Sequence, residues 1–180
     1  MKRCRWVDEK SDIYKKYHDE EWGKPKYDDK ELFELLILES FQAGLSWITI
    51  LKKREAFRKA YDNFDIKKVA NYKEEKINEL LGNEKIIRSK NKIISSINNA
   101  KIFMQIQKEY GSFSNYIWSF TDNKIIKNTT DDFPVSTPLS DTISKDLKKR
   151  GMKYVGTVIV YSYLQAIGIV DDHEKACFRY

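Results

Sequence analysis

Residues 148–156 read Lys148-Lys149-Arg150-Gly151-Met152-Lys153-Tyr154-Val155-Gly156, a glycine-bounded turn set between two stretches of helical periodicity. On its N-terminal side Ser140 is a capping residue for a helix that ends in Lys148, Lys149 and Arg150. On its C-terminal side Thr157 opens a helix running through Val160 and Leu164 to Ile167. Helix, hairpin, helix over about residues 140–168 makes an αα-hairpin. Gly156 lets a ligand approach the backbone closely, and the N–H groups at the start of the Thr157 helix suit a phosphate. Lys153 and the three basic residues before Gly151 add positive charge there. A solvated helix end would use the same basic residues to complement its dipole, so the stretch admits nucleic acid without requiring it.

Outward from the hairpin the periodicity stays helical, and no strand-like alternation persists beyond a few residues. Asp28, followed three residues later by Glu31, reads as a capping box for a helix from Lys30 to about Ala43, with Leu32, Leu35, Leu36 and Leu38 inward and Gly44 as its stop. Ser46 caps the next helix, which carries Trp47, Ile50, Leu51, Phe57 and Tyr61. Short helices follow from Asp65 and over 73–81, then a long one from about Ile87 to Glu109, then Ser112 to Phe120. Residues 122–138 read as an irregular connection punctuated by Pro134 and Pro138. The expected fold is all-α, in one domain over 1–180, without internal repeat or linker.

The 180 residues are enough to bury about 70% of the unfolded surface, so the chain does not need a metal for want of a core. A formal charge of +6 makes a polyanionic partner plausible, and a lysine-rich surface accounts for it equally well. No apolar run reaches the ~20 residues of a membrane span. The start Met1-Lys2-Arg3-Cys4-Arg5-Trp6 lacks the apolar stretch of a secretory signal, which favours a reducing cytoplasmic setting.

The two cysteines and two histidines sit in pairs at the two ends, Cys4 with His18 and His173 with Cys177. The second pair has His-x-x-x-Cys spacing, which would put both side chains on one face of a helix. If the ends meet, four protein ligands complete a tetrahedral zinc site with no position left for a catalytic water, hence a structural clasp. A Cys4–Cys177 disulfide in an exported protein, or cysteines buried for packing alone, would use the same residues. Three of the four tryptophans, Trp6, Trp22 and Trp47, lie in the first quarter beside Tyr14 and Tyr17. Such a cluster suits either a core or a pocket that stacks a flat heterocycle.

Taken together, several segments resemble the 3-methyladenine DNA glycosylase I family of the helix-hairpin-helix glycosylase superfamily. They are Arg3-Cys4-x-Trp6, Tyr17-His18-Asp19-x-Glu21-Trp22-Gly23, Leu38-Glu39-x-x-Gln42-Ala43-Gly44-Leu45-Ser46-Trp47, Leu51-Lys52-Lys53-Arg54, Trp118-Ser119-Phe120, the hairpin itself, and Asp172-His173 with Cys177. The resemblance implies a two-lobe helical protein with one structural Zn2+ held by Cys4, His18, His173 and Cys177. It implies a monomeric, monofunctional hydrolase that flips N3-methyladenine out of alkylated double-stranded DNA and releases the free base. Glu39 is then the carboxylate that hydrogen-bonds the base, Tyr17 and Trp47 stack on it, and Trp6, Tyr14 and Trp22 complete the wall. Gln42 and Leu45 would wedge into the duplex, and Gly44, Lys153, Gly156 and Thr157 would also contact the DNA. Asp171 and Asp172 are the nearest candidates for a general base, and beside His173 they also suit ligand support or capping. A zinc-stabilised DNA-binding module without catalysis is the competing expectation, and it predicts salt-sensitive binding indifferent to damage.

Overall fold

A computed structural model describes residues 1–130 and 132–180. In chain order these form α1 (Asp12–Glu20), α2 (Asp29–Gln42), α3 (Trp47–Ala60), a 3-10 turn (Asp62–Phe64), α4 (Ile66–Ala70), α5 (Glu74–Gly82), α6 (Lys90–Tyr110), α7 (Phe113–Ser119), β1 (Ile126–Lys127), α8 (Pro138–Lys149), α9 (Thr157–Ala166) and β2 (Val170–Asp171). The chain is mostly helical, as its periodicity predicts.

Helix α2 forms where expected because the Asp28 side chain accepts from the Glu31 backbone N–H at 3.0 Å, satisfying a donor the helix leaves open. Leu32 through Phe41 are all buried, so α2 is a central helix rather than the one-sided helix its leucines suggest. It packs against α3, α6, α7 and α9. Its first turn is fastened from outside: Asp29 accepts the backbone N–H groups of Phe113 and Ser114 at 2.9 and 2.8 Å, placing a carboxylate at the N-terminus of α7. The buried Tyr163 hydroxyl of α9 donates to Leu32 O at 2.9 Å.

Three local readings are corrected. Helix α8 starts at Pro138, with Thr137 as its cap; Ser140 lies in the first turn and closes a capping box by accepting from Thr137 N at 2.8 Å. The irregular connection, of which position 131 lies outside the described residues, therefore ends earlier than expected. It also contains β1, which pairs in parallel with β2, Ile126 opposite Val170 and Lys127 opposite Asp171. Two-residue strands are too short to leave an alternating pattern. Helix α1 was not anticipated from the sequence. Ser11 caps it, and its buried residues are Tyr17 and His18.

The N-terminal segment is held to the body at three points. Arg54 of α3 makes a two-pronged ion pair with Glu21 at 2.7 and 2.8 Å and a further one with Glu34 of α2 at 2.6 Å. The Lys26 ammonium donates to Glu21 O and Ala166 O, both at 3.0 Å. At the end of α9, Gly168 (φ +76°) passes so close to the Lys24–Pro25 peptide that a Cβ would lie 2.3 Å from Lys24 C. Backbone on both sides leaves no flexible neighbour to give way. Gly168→Ala is therefore expected to lower stability by about 3 kcal/mol or more, combining a left-handed backbone with overpacking, measurable by urea unfolding. A loss below 1 kcal/mol would contradict this contact.

Candidate active site

Between the N-terminal segment, α2, α3 and α9 lies a cavity of about 650 Å³. All six residues expected to form a base pocket line it: Trp6, Tyr14, Tyr17, Trp22, Glu39 and Trp47. Trp6 meets Tyr14 and Trp22 edge-on, with centroids 5.3 and 5.1 Å apart. Tyr17 and Trp47 lie 5.6 Å apart and tilted by 54°, so they touch each other rather than standing as an open slot.

Glu39 comes from the last turns of α2 and is 2% exposed. Its Oε2 has no hydrogen-bond partner among the described residues, and burial pushes its pKa up to about 8. The indole N–H of Trp6 is likewise buried and unpaired. The Trp47 N–H neighbours the Tyr17 hydroxyl without meeting ordinary hydrogen-bond geometry. An unpaired carboxyl beside unpaired donors in an aromatic cavity is an arrangement that folding disfavours and a polar, flat ligand would satisfy.

Five lining residues were not foreseen: Arg5, Phe133, Ser162, Gln165 and Glu174. Glu174 accepts from the Arg5 backbone N–H at 2.8 Å and from Arg5 Nε at 3.1 Å, with the guanidinium 5.5 Å from the Phe133 ring centre. Ser162 and Gln165, three apart on the otherwise apolar α9, offered a signal, since polar residues at helical spacing on a buried helix need a polar neighbour. Phe133 lies in the irregular connection, where no periodicity marks it.

Behind the aromatic wall, Cys4, His18 and Cys177 are buried together, their ligand atoms all within 4.8 Å of one another, an arrangement able to hold a metal ion. Both cysteines are free thiols, so the disulfide expectation is not met here. His173 lies beside this group, its ring centre 5.3 Å from that of His18. His18 Nδ1 is engaged by Asp19 Oδ1 at 2.8 Å, and His173 Nδ1 by Asp171 Oδ1 at 2.7 Å. The Nε2 atoms thereby keep their lone pairs: that of His18 lies 3.4 Å from Cys177 Sγ, and that of His173 is buried with no partner among the described residues. The Arg3 guanidinium bonded to Asp19 holds that carboxyl low, at a pKa of about 2. Burial, above all, pushes the Cys4 thiol up to about 12.

Asp171 thus supports His173. Asp172 accepts from the Tyr161 hydroxyl and from Gln165 Nε2 at 2.6 Å, fixing the amide that lines the cavity.

Gln42 lines the cavity, while Gly44 (φ +77°) and Leu45, 40% exposed, form the turn between α2 and α3. In the hairpin, Gly151 (φ +98°) and Tyr154 (φ +55°) turn the chain back, and Gly156 caps α9 with open space where a Cβ would stand. Lys153 is exposed, but its backbone N–H is spent on Asn99 Oδ1 at 2.9 Å. Thr157 Oγ1 meets Ser140 Oγ at 2.8 Å. Arg150 is no free cation: Glu109 and Asp146 bind it at 2.7 and 2.8 Å.

The family model described as methyladenine glycosylase matches residues 6–180. The chain is 46% identical to DNA-3-methyladenine glycosylase 1 of Escherichia coli K12 over 183 residues, covering all of this chain and 97% of that protein. It is 45% identical to the DNA-3-methyladenine glycosylase of Haemophilus influenzae, covering 97% and 96%. Among solved structures, a 3-methyladenine DNA glycosylase I superposes with a TM-score of 0.94 at 45% identity, covering 98% of both chains. A tyrosine-to-phenylalanine variant of such an enzyme, in complex with 3-methyladenine, does so with a TM-score of 0.93 at 38% identity, covering 99% of this chain and 97% of that one.

The raised Glu39 pKa has a sign. Between its unfolded value near 4.5 and its folded value of about 8, the folded state binds the extra proton, so stability falls as pH rises through that interval. Glu39→Gln removes the slope. The variant should match the native protein near pH 4.5 and exceed it by roughly 3–5 kcal/mol above pH 8, as seen in denaturant unfolding across pH. A pH-independent difference would show that the carboxyl is not held neutral by burial.

Proposed function

The chain belongs to the methyladenine glycosylase family, and from that premise we propose that it removes N3-methyladenine from alkylated double-stranded DNA, as a cytoplasmic, monomeric and monofunctional hydrolase. The observation that carries the reading is Glu39, a buried carboxyl with one oxygen unpaired among the described residues, in a cavity walled by six aromatic side chains.

N3-methylation makes adenine cationic and so a better leaving group. The chemical demand on the protein is modest, and the larger task is to extract the right base. A cationic base supplies the counter-charge that the buried Glu39 lacks and returns its carboxyl to the ionised form. Electron-rich faces of Trp6, Tyr14, Tyr17, Trp22 and Trp47 favour the same cation. Normal adenine is neutral and gains neither. When the bond from the base to sugar C1′ breaks, its electron pair goes to the base and neutralises it, and Glu39 keeps its hydrogen bond to the departing base edge. Water adds to C1′ and gives up a proton, while DNA phosphates balance the transient charge on the sugar. No lysine is among the described residues lining the cavity, which supports hydrolysis over a Schiff-base route with strand cleavage.

Extrusion of the nucleotide costs a few kcal/mol, least for a damaged base. Leu45 and Gln42, on the turn after α2, are suited to fill the space it leaves. We read α8, its hairpin and α9 as the helix-hairpin-helix element, with Gly156 and Thr157 facing the backbone phosphates. The body around α2 and the terminal segments would then be the two lobes.

For the metal, the donor set fits zinc: two thiols, and two imidazoles oriented by carboxylates, one with an orphaned Nε2. Cys4, His18, His173 and Cys177 would hold it. When bound it supplies structural cross-linking, and these residues set the segment that carries Trp6, Tyr14 and Trp22.

Two measurements test this reading. Native protein should release 3-methyladenine from methylated duplex DNA, detected by chromatography, and Glu39→Gln, still folded, should release it about 10- to 100-fold more slowly, the worth of a charged hydrogen bond. Native protein without product above background would reject the assignment. Separately, Cys177→Ser should lower bound zinc and melting temperature together; a folded variant with full zinc would remove Cys177 from the ligand set.

A further inference from the structure

Helix α2 ends without a basic residue in its last turn, although the helix dipole and the unpaired carbonyls there favour one. The cation comes from another helix. Lys92, half-buried near the start of α6, donates from Nζ to Phe41 O at 2.9 Å and to Ala43 O at 2.6 Å. Within the turn that follows, the one backbone bond among the described residues is from Leu45 N to Gln42 O, and Gly44 has a left-handed backbone. The turn thus has little of its own to fix where Leu45 points.

The same face of α6 also holds the hairpin. Asn98 Nδ2 donates to Gly151 O at 2.9 Å; the fully buried Asn99 both donates to Lys153 O at 2.8 Å and accepts from Lys153 N at 2.9 Å. The Lys92 ammonium lies 5.9 Å from the ring centre of Tyr154 in that hairpin. One helix therefore grips both turns, and Lys92 touches each.

We propose that Lys92 is a positioning residue for base extrusion, fixing the Gln42–Leu45 turn at a set distance from the hairpin so that Leu45 enters the duplex while the hairpin holds its backbone. This rests on the glycosylase reading above and on Leu45 as the wedge. A turn already ordered before it meets DNA does not have to be ordered on insertion, when the penalty would be charged against extrusion. Lys92 is not among the residues lining the cavity, so recognition of the base itself does not call on its ammonium.

The experiment is a double-mutant cycle between Lys92→Met and Leu45→Gly, read as single-turnover release of 3-methyladenine from methylated duplex. Lys92→Met should slow release about tenfold or more, the scale expected for losing even one of its two charge-assisted hydrogen bonds. In the Leu45→Gly background the same change should cost less than about twofold, because the wedge it positions is gone. Affinity for free 3-methyladenine, followed by tryptophan fluorescence, should stay within about twofold in every folded variant, and Lys92→Arg, which keeps charge and donors, should restore most of the rate even if the Met variant folds poorly. Equal losses in both Leu45 backgrounds, a parallel loss of free-base affinity, or duplex release by Lys92→Met at the native rate would each overturn the positioning role. Native protein that binds the free base but releases none from DNA would instead reject the glycosylase reading, and this inference with it.

Discussion

The burial of α2 on every side constrains the rest of the molecule. Ten successive side chains, Leu32 to Phe41, have no solvent to face, so α3, α6, α7 and α9 must each present a surface to them. Two acidic residues are caught in that stretch, and they are treated in opposite ways. Glu34 is matched by Arg54 and Arg58, a charge network fastened through Arg54 to Glu21. Glu39, little more than a turn further on, has its Oε2 without a partner among the described residues. A protein that compensates one buried carboxylate with two guanidiniums has not left the other bare for want of means. The bare one faces the cavity.

Much of the helical framework was legible because its signals are local. Asp28 before an apolar run marks a boundary through one or two residues, and the structure has α2 starting where that pattern predicts. What escaped depends on distant partners. Ser140 has the chemistry of a cap, but Thr137 precedes Pro138, whose fixed φ suits the first helical position, and the earlier cap wins. Helix α1 is short and polar, and its stability comes from seating Tyr17 and His18 against α3 and the opposite end of the chain. The basic run before Gly151 looked like three free charges, yet Arg150 is spent on Glu109 and Asp146, and only the fold reveals that.

The site divides in the same way. Aromatic side chains and Glu39 were legible because their types are unusual for where they stand: tryptophans crowded into a polar first quarter, a glutamate among leucines. Their convergence on one cavity is what the coordinates add. Arg5, Glu174 and Phe133 were not legible. They are ordinary residues made relevant by contacts between segments far apart in the chain, Arg5 with Glu174 across 169 positions. The histidine pair falls between these cases, since the ligand types and their carboxylate neighbours, Asp19 beside His18 and Asp171 two before His173, stand in the sequence, but that the two histidines lie together is seen only once the ends have met.

That meeting has a consequence for how the protein comes into being. Phe178 N donates to Lys2 O, and Cys177 lies against His18. Closing a loop of this span is slow compared with forming any single helix, although its entropic penalty grows only with the logarithm of its length. On the ribosome, Trp6, Tyr14 and Trp22 emerge well before residues 171–177 and must wait for them. The helical body can settle around α2 in the meantime. The aromatic wall is thus completed only after residues 171–177 have emerged, so a chain made no further than α9 carries its acid without a finished pocket around it.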